Sequence, residues 1–98
     1  MDFDYLEGYV GGEPAIVLEV LALFRQQSHA WAAGLDEANS DWRALAHTIK
    51  GAARGVGANA LGDACQTAEF GQASDLPAVR AALEEAVADI EAYMAAKG

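Results

Sequence analysis

Residues 40–69 read SDWRALAHTIKGAARGVGANALGDACQTAE, and the fold can be worked out from this stretch outward. Placing successive residues at about 100° around a helix axis separates polar from apolar side chains in its first half, as in an amphipathic helix. The polar face holds Arg43, His47, Lys50, Gly51 and Arg54. The apolar face holds Trp42, Leu45, Ile49, Ala52, Ala53 and Val56. The histidine is therefore expected to face solvent rather than the core.

The polar face suits nucleophilic chemistry. A neutral imidazole is a good nucleophile near neutral pH, because the ordinary histidine pKa is about 6.5. A phosphoryl group on His47 would add negative charge, which Lys50 could offset from one helical turn away. Arg43 and Arg54 add to the same positive field. As an exposed cation, Lys50 is expected to contribute little to folding stability.

Gly51 is unusual on an exposed helical face. Glycine inside a helix costs about 1 kcal/mol relative to alanine. A glycine beside the nucleophile therefore indicates that another molecule must come close there. A plainer interpretation also stays open at this point, in which the cations are only a solvated helix surface.

This stretch resembles the histidine-containing phosphotransfer (HPt) domain of bacterial phosphorelays. The family pattern is a histidine, two residues, Lys-Gly and a second glycine about ten residues after the histidine, as in HTIKGAARGVG at 47–57. A leucine, a small residue or cysteine and a glutamate usually follow on the next helix. Leu61, Cys65 and Glu69 stand at those positions.

The resemblance implies a phosphoryl carrier that relays the group between aspartates of receiver domains through phosphohistidine. His47 would be the phosphoacceptor, Lys50 the charge-stabilising cation, and Gly51 the clearance for docking. Gln66, on the next helix, is expected to face the histidine and to join Arg43 and Arg54 as binding residues. The position of Glu69 usually serves structure or the surface in the family, so no catalytic role is expected for it.

The expected partners are response-regulator receiver domains, including those of hybrid histidine kinases. The required metal ion is expected on the receiver, so this chain needs no cofactor. There is no glycine-rich or Walker-type loop that would support phosphorylation from ATP. Two alternatives remain: a non-catalytic helical adaptor that binds a receiver without carrying phosphate, and a phosphohistidine phosphatase. His29 has no Lys-Gly companion and is expected at the surface.

Composition sets further limits. The chain has 98 residues and is predicted to form one domain over residues 1–98. A net charge of −9 argues against binding nucleic acid or anionic membranes.

The single cysteine, Cys65, cannot form an internal disulfide and is expected in the core. Two histidines and one cysteine do not make a zinc motif. Without a signal peptide or an apolar run of about 20 residues, we expect a cytoplasmic monomer. The initial methionine mildly favours a stand-alone protein.

The N-terminal third of the chain predicts two helices. Residues 1–12 indicate a short helix that packs through Phe3, Leu6 and Val10. The first long helix is expected to begin at Glu13-Pro14, with proline in its first turn. Its apolar stripe comprises Val17, Leu21, Phe24, Ser28, Trp31 and Leu35.

Turn residues delimit the other helices. Residues 39–41 indicate a turn, with Ser40 as the N-cap of the helix that carries His47. Gly57 is expected to end that helix in a left-handed conformation, and a short helix spans about 58–70. After a turn at 71–74, Asp75 is expected to cap the last helix, with Pro77 in its first turn. The stripe of that helix comprises Leu76, Val79, Leu83, Val87, Ile90 and Met94. The predicted fold is all-α, an antiparallel up-down-up-down four-helix bundle preceded by a short N-terminal helix.

Overall fold

The computed structural model describes residues 1–97, and the regular secondary structure of these residues is entirely helical. Residues 1–97 form five α-helices and one short 3-10 helix. The α-helices are α1 (Phe3–Tyr9), α2 (Pro14–Gly34), α3 (Trp42–Val56), α4 (Asn59–Glu69) and α5 (Leu76–Lys97), and the 3-10 helix is Ala73–Asp75. The prediction of an all-α fold is confirmed.

The apolar stripes of the long helices meet in one core. Helix α3 packs most extensively against α4, α4 packs against α5, and α2 contacts both α3 and α5. The short α1 lies against α2 and α3. The predicted stripe of α2 is buried along its whole length. In α5 the stripe is buried at Leu76, Val79, Leu83 and Ile90, whereas Val87 and Met94 are partly buried.

The start of α3 differs from the prediction, because Ser40 is not its N-cap. The helix begins at Trp42, and the preceding Asp41 makes no side-chain capping bond. Asn39 organises this turn instead. Its side-chain oxygen accepts from the backbone N–H of Asp41 at 3.1 Å, and its amide donates to the Gly34 carbonyl at 2.9 Å. An asparagine that bonds the backbone two residues on is a standard turn former, and here it sets where the helix begins.

The end of α3 is as predicted. Gly57 has a φ of +84°, in the left-handed region. A Cβ atom at this position would lie 2.5 Å from the backbone oxygen of Asp2, so the packing of the N-terminal segment also requires glycine. The backbone N–H of Asp2 donates to the Gly57 carbonyl at 2.9 Å, which fastens that segment to the end of α3.

The connection before α5 also corrects a prediction. Asp75 is the last residue of the 3-10 helix, and its carboxylate accepts from the backbone N–H of Gln72 at 2.9 Å. It therefore caps the 3-10 helix rather than α5, which follows directly at Leu76. The predicted turn at 71–74 is thus partly helical. Pro77 lies in the first turn of α5, as expected.

Candidate functional site

His47 lies on the exposed face of α3, opposite the core. Its side chain is 67% exposed. Ala46, Ile49 and Ala53, on the other side of the same helix, are fully buried. The helical period of the sequence therefore predicted the orientation of the histidine correctly.

A carboxylate from α4 joins the two central residues of this face. Oε2 of Glu69 lies 3.0 Å from Nδ1 of His47, and Oε1 accepts from Nζ of Lys50 at 2.6 Å. Glu69 is the last residue of α4, and its side chain is only 15% exposed. Sequence reasoning gave this residue no role in the chemistry. Its match to the family pattern was the available signal, but only helix packing shows that it reaches the histidine.

The partner of Nδ1 determines which imidazole nitrogen is free to react. The hydrogen bond from Lys50 lowers the pKa of Glu69 below its ordinary value, a smaller opposing effect comes from desolvation, and the bond to His47 lowers it further. Glu69 is therefore ionised at neutral pH, and an ionised carboxylate only accepts hydrogen bonds. Nδ1 of His47 must then carry the hydrogen, which in a neutral ring leaves the lone pair on Nε2.

Lys50 is less exposed than the sequence predicted. Its side chain is only 12% exposed, because α4 packs beside it. Nζ donates to Glu69 and also to Oε1 of Gln66, at 3.0 Å. It lies 5.3 Å from the centre of the Phe70 ring. Gln66 does project toward the site, as expected, but its bond is to Lys50 rather than to His47.

The two arginines are held away from the histidine. Nη2 of Arg43 donates to the Gly71 carbonyl at 2.7 Å, and its guanidinium lies 4.3 Å from the centre of the Trp42 ring. The stem of Arg54 rests on α4 at Gly62, where a Cβ would come within 3.0 Å of the arginine Cγ. Both arginines thus contact groups other than the imidazole, whose hydrogen-bond partner is Glu69.

The other residues singled out in the sequence divide between the surface and the core. Gly51 is exposed, and a Cβ there would have no contacting atom within 4 Å, so the surface beside His47 is open. Cys65 is fully buried, and desolvation raises the pKa of its thiol to about 11. The expectation that it belongs to the core is confirmed. His29 is exposed on α2.

Two further features concern the described residues as a whole. Over residues 1–97, no set of three or more histidine, cysteine, aspartate or glutamate side chains is placed to hold a metal ion. Across the same residues, no helix is both long and apolar enough to cross a lipid bilayer.

Comparison with known proteins gives two matches. The sequence model of the Hpt domain family matches residues 18–93. The crystal structure of the histidine phosphotransferase ShpA from Caulobacter crescentus is similar, with 49% sequence identity and a TM-score of 0.88. The similarity covers 98% of this chain and 91% of that one. No curated protein matches the sequence.

Proposed function

Because the chain belongs to the Hpt domain family, we propose that it carries a phosphoryl group on His47 between aspartates of receiver domains in a phosphorelay. The observation that carries this proposal is the bond between Nδ1 of His47 and Glu69, which leaves Nε2 as the outward-facing nucleophile. The proposal includes an antiparallel up-down-up-down arrangement of α2, α3, α4 and α5. Short connections and the pairwise packing of α2–α3, α3–α4, α4–α5 and α2–α5 support that arrangement.

The transfer step follows from this geometry. A receiver domain brings its aspartyl phosphate over the exposed face of α3, and the lone pair of Nε2 attacks phosphorus in line. The N–P bond forms as the bond from phosphorus to the aspartyl oxygen breaks, and the aspartate leaves as a carboxylate. The hydrogen on Nδ1 stays in place, so the ring becomes cationic. The same steps in reverse pass the group to an aspartate of a second receiver.

Glu69 acts as the positioning residue in this scheme. It holds the imidazole in one tautomer and orientation, and its negative charge stabilises the cation that develops as Nε2 reacts. Because both its oxygens are bonded, to His47 and to Lys50, the carboxylate is fixed before the partner arrives. A group that is already oriented loses little by reorganisation during the reaction.

Lys50 has two roles in the proposal. It holds Glu69 in place, and its ammonium offsets the charge of the phosphoryl group, which is roughly −1.5 to −2 near neutral pH. An ammonium group has three donors, of which Glu69 and Gln66 occupy two. One donor therefore remains for a phosphoryl oxygen. The metal ion and most of the charge stabilisation come from the receiver, so the chain itself needs no cofactor.

Docking uses the open surface beside the histidine. An aspartyl phosphate must approach Nε2 to about 3–3.5 Å before it reacts. Gly51 gives the receiver that clearance, since no side chain stands there. Arg43 and Arg54 provide positive potential for an anionic partner on a chain whose net charge is −9. We place this exchange in the cytoplasm, with the chain acting as a monomer.

Incubation with a receiver domain phosphorylated on aspartate tests the proposed function. The donor is the fastest member of a panel of purified receivers treated with acetyl phosphate. We expect acid-labile label to move onto this chain and then onto a second receiver. Binding without label would indicate the adaptor alternative, and release of free phosphate alone would indicate a phosphatase. Either result would contradict the proposal.

A further inference from the structure

Phe70 is an exposed aromatic residue next to the site. The large apolar side chains that the described residues expose are Tyr5, Tyr9, Ile16, Leu23 and Phe70. The first four lie on α1 and α2. Phe70 follows α4 directly, adjoins Glu69 in the chain, and is 72% exposed. It thus borders the site through its chain neighbour Glu69 and through Lys50, whose Nζ lies 5.3 Å from the centre of the ring.

The fold does not account for this side chain. Phe70 ends α4 through its backbone, whose N–H donates to the carbonyls of Gln66 and Ala68. Any residue except proline could make those bonds. The ring lies 5.3 Å from Nζ of Lys50, but its high exposure shows that most of its surface contacts no protein atom. An exposed phenyl ring keeps apolar surface in water, which burial against a partner would remove.

Side-chain hydrogen bonds hold the backbone that follows Phe70. Arg43 reaches from α3 to donate to the carbonyl of Gly71, the next residue in the chain. The following 3-10 helix is capped by Asp75. An aromatic side chain on a fixed backbone loses little conformational freedom on binding, and such residues are frequent hot spots of interfaces.

The distance from His47 limits what can cover Phe70. Lys50 and Glu69 lie between the Phe70 ring and the imidazole. The centre of the ring is 5.3 Å from Nζ of Lys50, Nζ is 2.6 Å from Oε1 of Glu69, and Oε2 of Glu69 is 3.0 Å from Nδ1 of His47. A standard interface covers about 800 Å² of each partner, a patch roughly 16 Å in radius. A receiver centred on Nε2 of His47 would therefore reach Phe70. The neighbouring cations, Lys50 and Arg43, complement the anionic aspartyl phosphate that such a partner carries.

We propose that Phe70 is the aromatic anchor of the docking surface for the receiver domain, and that it inserts into an apolar site beside the receiver's aspartyl phosphate. This inference rests on the proposed function. It adds a residue whose contribution is to partner affinity rather than to the reactivity of the imidazole.

Two phosphodonors separate affinity from reactivity. Phe70→Ala and wild type are labelled by a phosphorylated receiver at a concentration below saturation, and separately by phosphoramidate, a small donor that needs no docking. Tyr9→Ala is the matched control, because Tyr9 is 76% exposed and lies on α1, a helix that carries none of the site residues. Phe70→Leu keeps an apolar group and tests whether contact area or the aromatic ring matters. Far-UV circular dichroism checks that the variants fold.

We expect Phe70→Ala to lower kcat/KM for the receiver at least ~10-fold, with an intermediate value for Phe70→Leu. Tyr9→Ala should match wild type, and phosphoramidate should label all four proteins at similar rates. Receiver transfer at the wild-type rate in Phe70→Ala would overturn the inference. An equal slowing with both donors would also overturn it, since Phe70 would then act through Lys50. Failure of the proposed function looks different, because wild type itself would take no label from any receiver.

Discussion

Nδ1 of His47, on α3, lies 3.0 Å from Oε2 of Glu69, the last residue of α4. Two helices must therefore pack correctly before the imidazole is oriented. The contact gives the inner nitrogen an acceptor and leaves the outer nitrogen free. In this account the bundle acts by fixing a nucleophile, and the partner supplies the rest of the chemistry.

Glu69→Gln tests the role of that carboxylate. The amide keeps the size of the side chain but loses the charge that stabilises a cationic ring. We expect phosphoramidate to label the variant about 10-fold more slowly or worse, because the defect lies in the nucleophile and not in docking. Glu91→Gln, an exposed glutamate on α5, is the control. An unchanged labelling rate would show that Glu69 does not assist the reaction.

The pH dependence of stability tests the same carboxylate without any phosphodonor. The folded pKa of Glu69 lies below the ordinary value of 4.5. Its ionised form therefore stabilises the fold fully above pH 4.5, and this contribution is lost as pH falls through the folded pKa. We expect the Tm difference between wild type and Glu69→Gln to shrink as pH falls below 4.5. Thermal melts at pH 7 to 3 measure it. A difference that grows as pH falls below 4.5 would contradict the assignment.

Lys50→Ala should lower stability, contrary to what an exposed lysine would do. The substitution removes two hydrogen bonds and leaves Glu69, which is mostly buried, without its nearest cation. We expect a Tm lower by about 4 °C or more, together with slower labelling by phosphoramidate. Lys97→Ala is a matched control, since that lysine is exposed and also lies near an aromatic ring, 5.5 Å from the centre of Tyr93. Equal Tm values for Lys50→Ala and wild type would show that Lys50 contributes to stability no more than a surface charge does.

Periodicity was sufficient for the parts of the molecule that depend on one helix. The exposure of His47, the buried stripe of α2 and the left-handed Gly57 all follow from local sequence. Each concerns which side of a helix meets water or which residue tolerates a positive φ. These are properties that neighbouring residues determine by themselves.

Contacts between helices could not be predicted in this way. The pairing of Lys50 with Glu69 joins residues 19 apart in sequence, and it depends on how α4 rotates against α3. The two incorrect predictions of N-cap residues have a similar cause. Ser40 and Asp75 have suitable side chains, but Asn39 and the 3-10 helix set where the following helices begin.

Gly51→Gln tests the clearance beside His47. No atom would contact a Cβ there, so the glutamine side chain should be accommodated. Replacing the glycine should stabilise the helix by up to about 1 kcal/mol. We expect an unchanged or higher Tm, unchanged labelling by phosphoramidate, and transfer from a receiver reduced at least ~10-fold by steric exclusion. Gly8→Gln is the control, because Gly8 is an equally open helical glycine on α1. Receiver transfer at the wild-type rate in Gly51→Gln would remove the clearance argument.

Whether His47 carries the phosphoryl group can be decided by exposing wild type, His47→Gln and His29→Gln to a phosphorylated receiver and measuring the label on each. The two histidines are the only ones in the chain and both are exposed, so each variant is a control for the other. We expect acid-labile label on wild type and His29→Gln, and none on His47→Gln. Label retained by a folded His47→Gln protein would contradict this assignment.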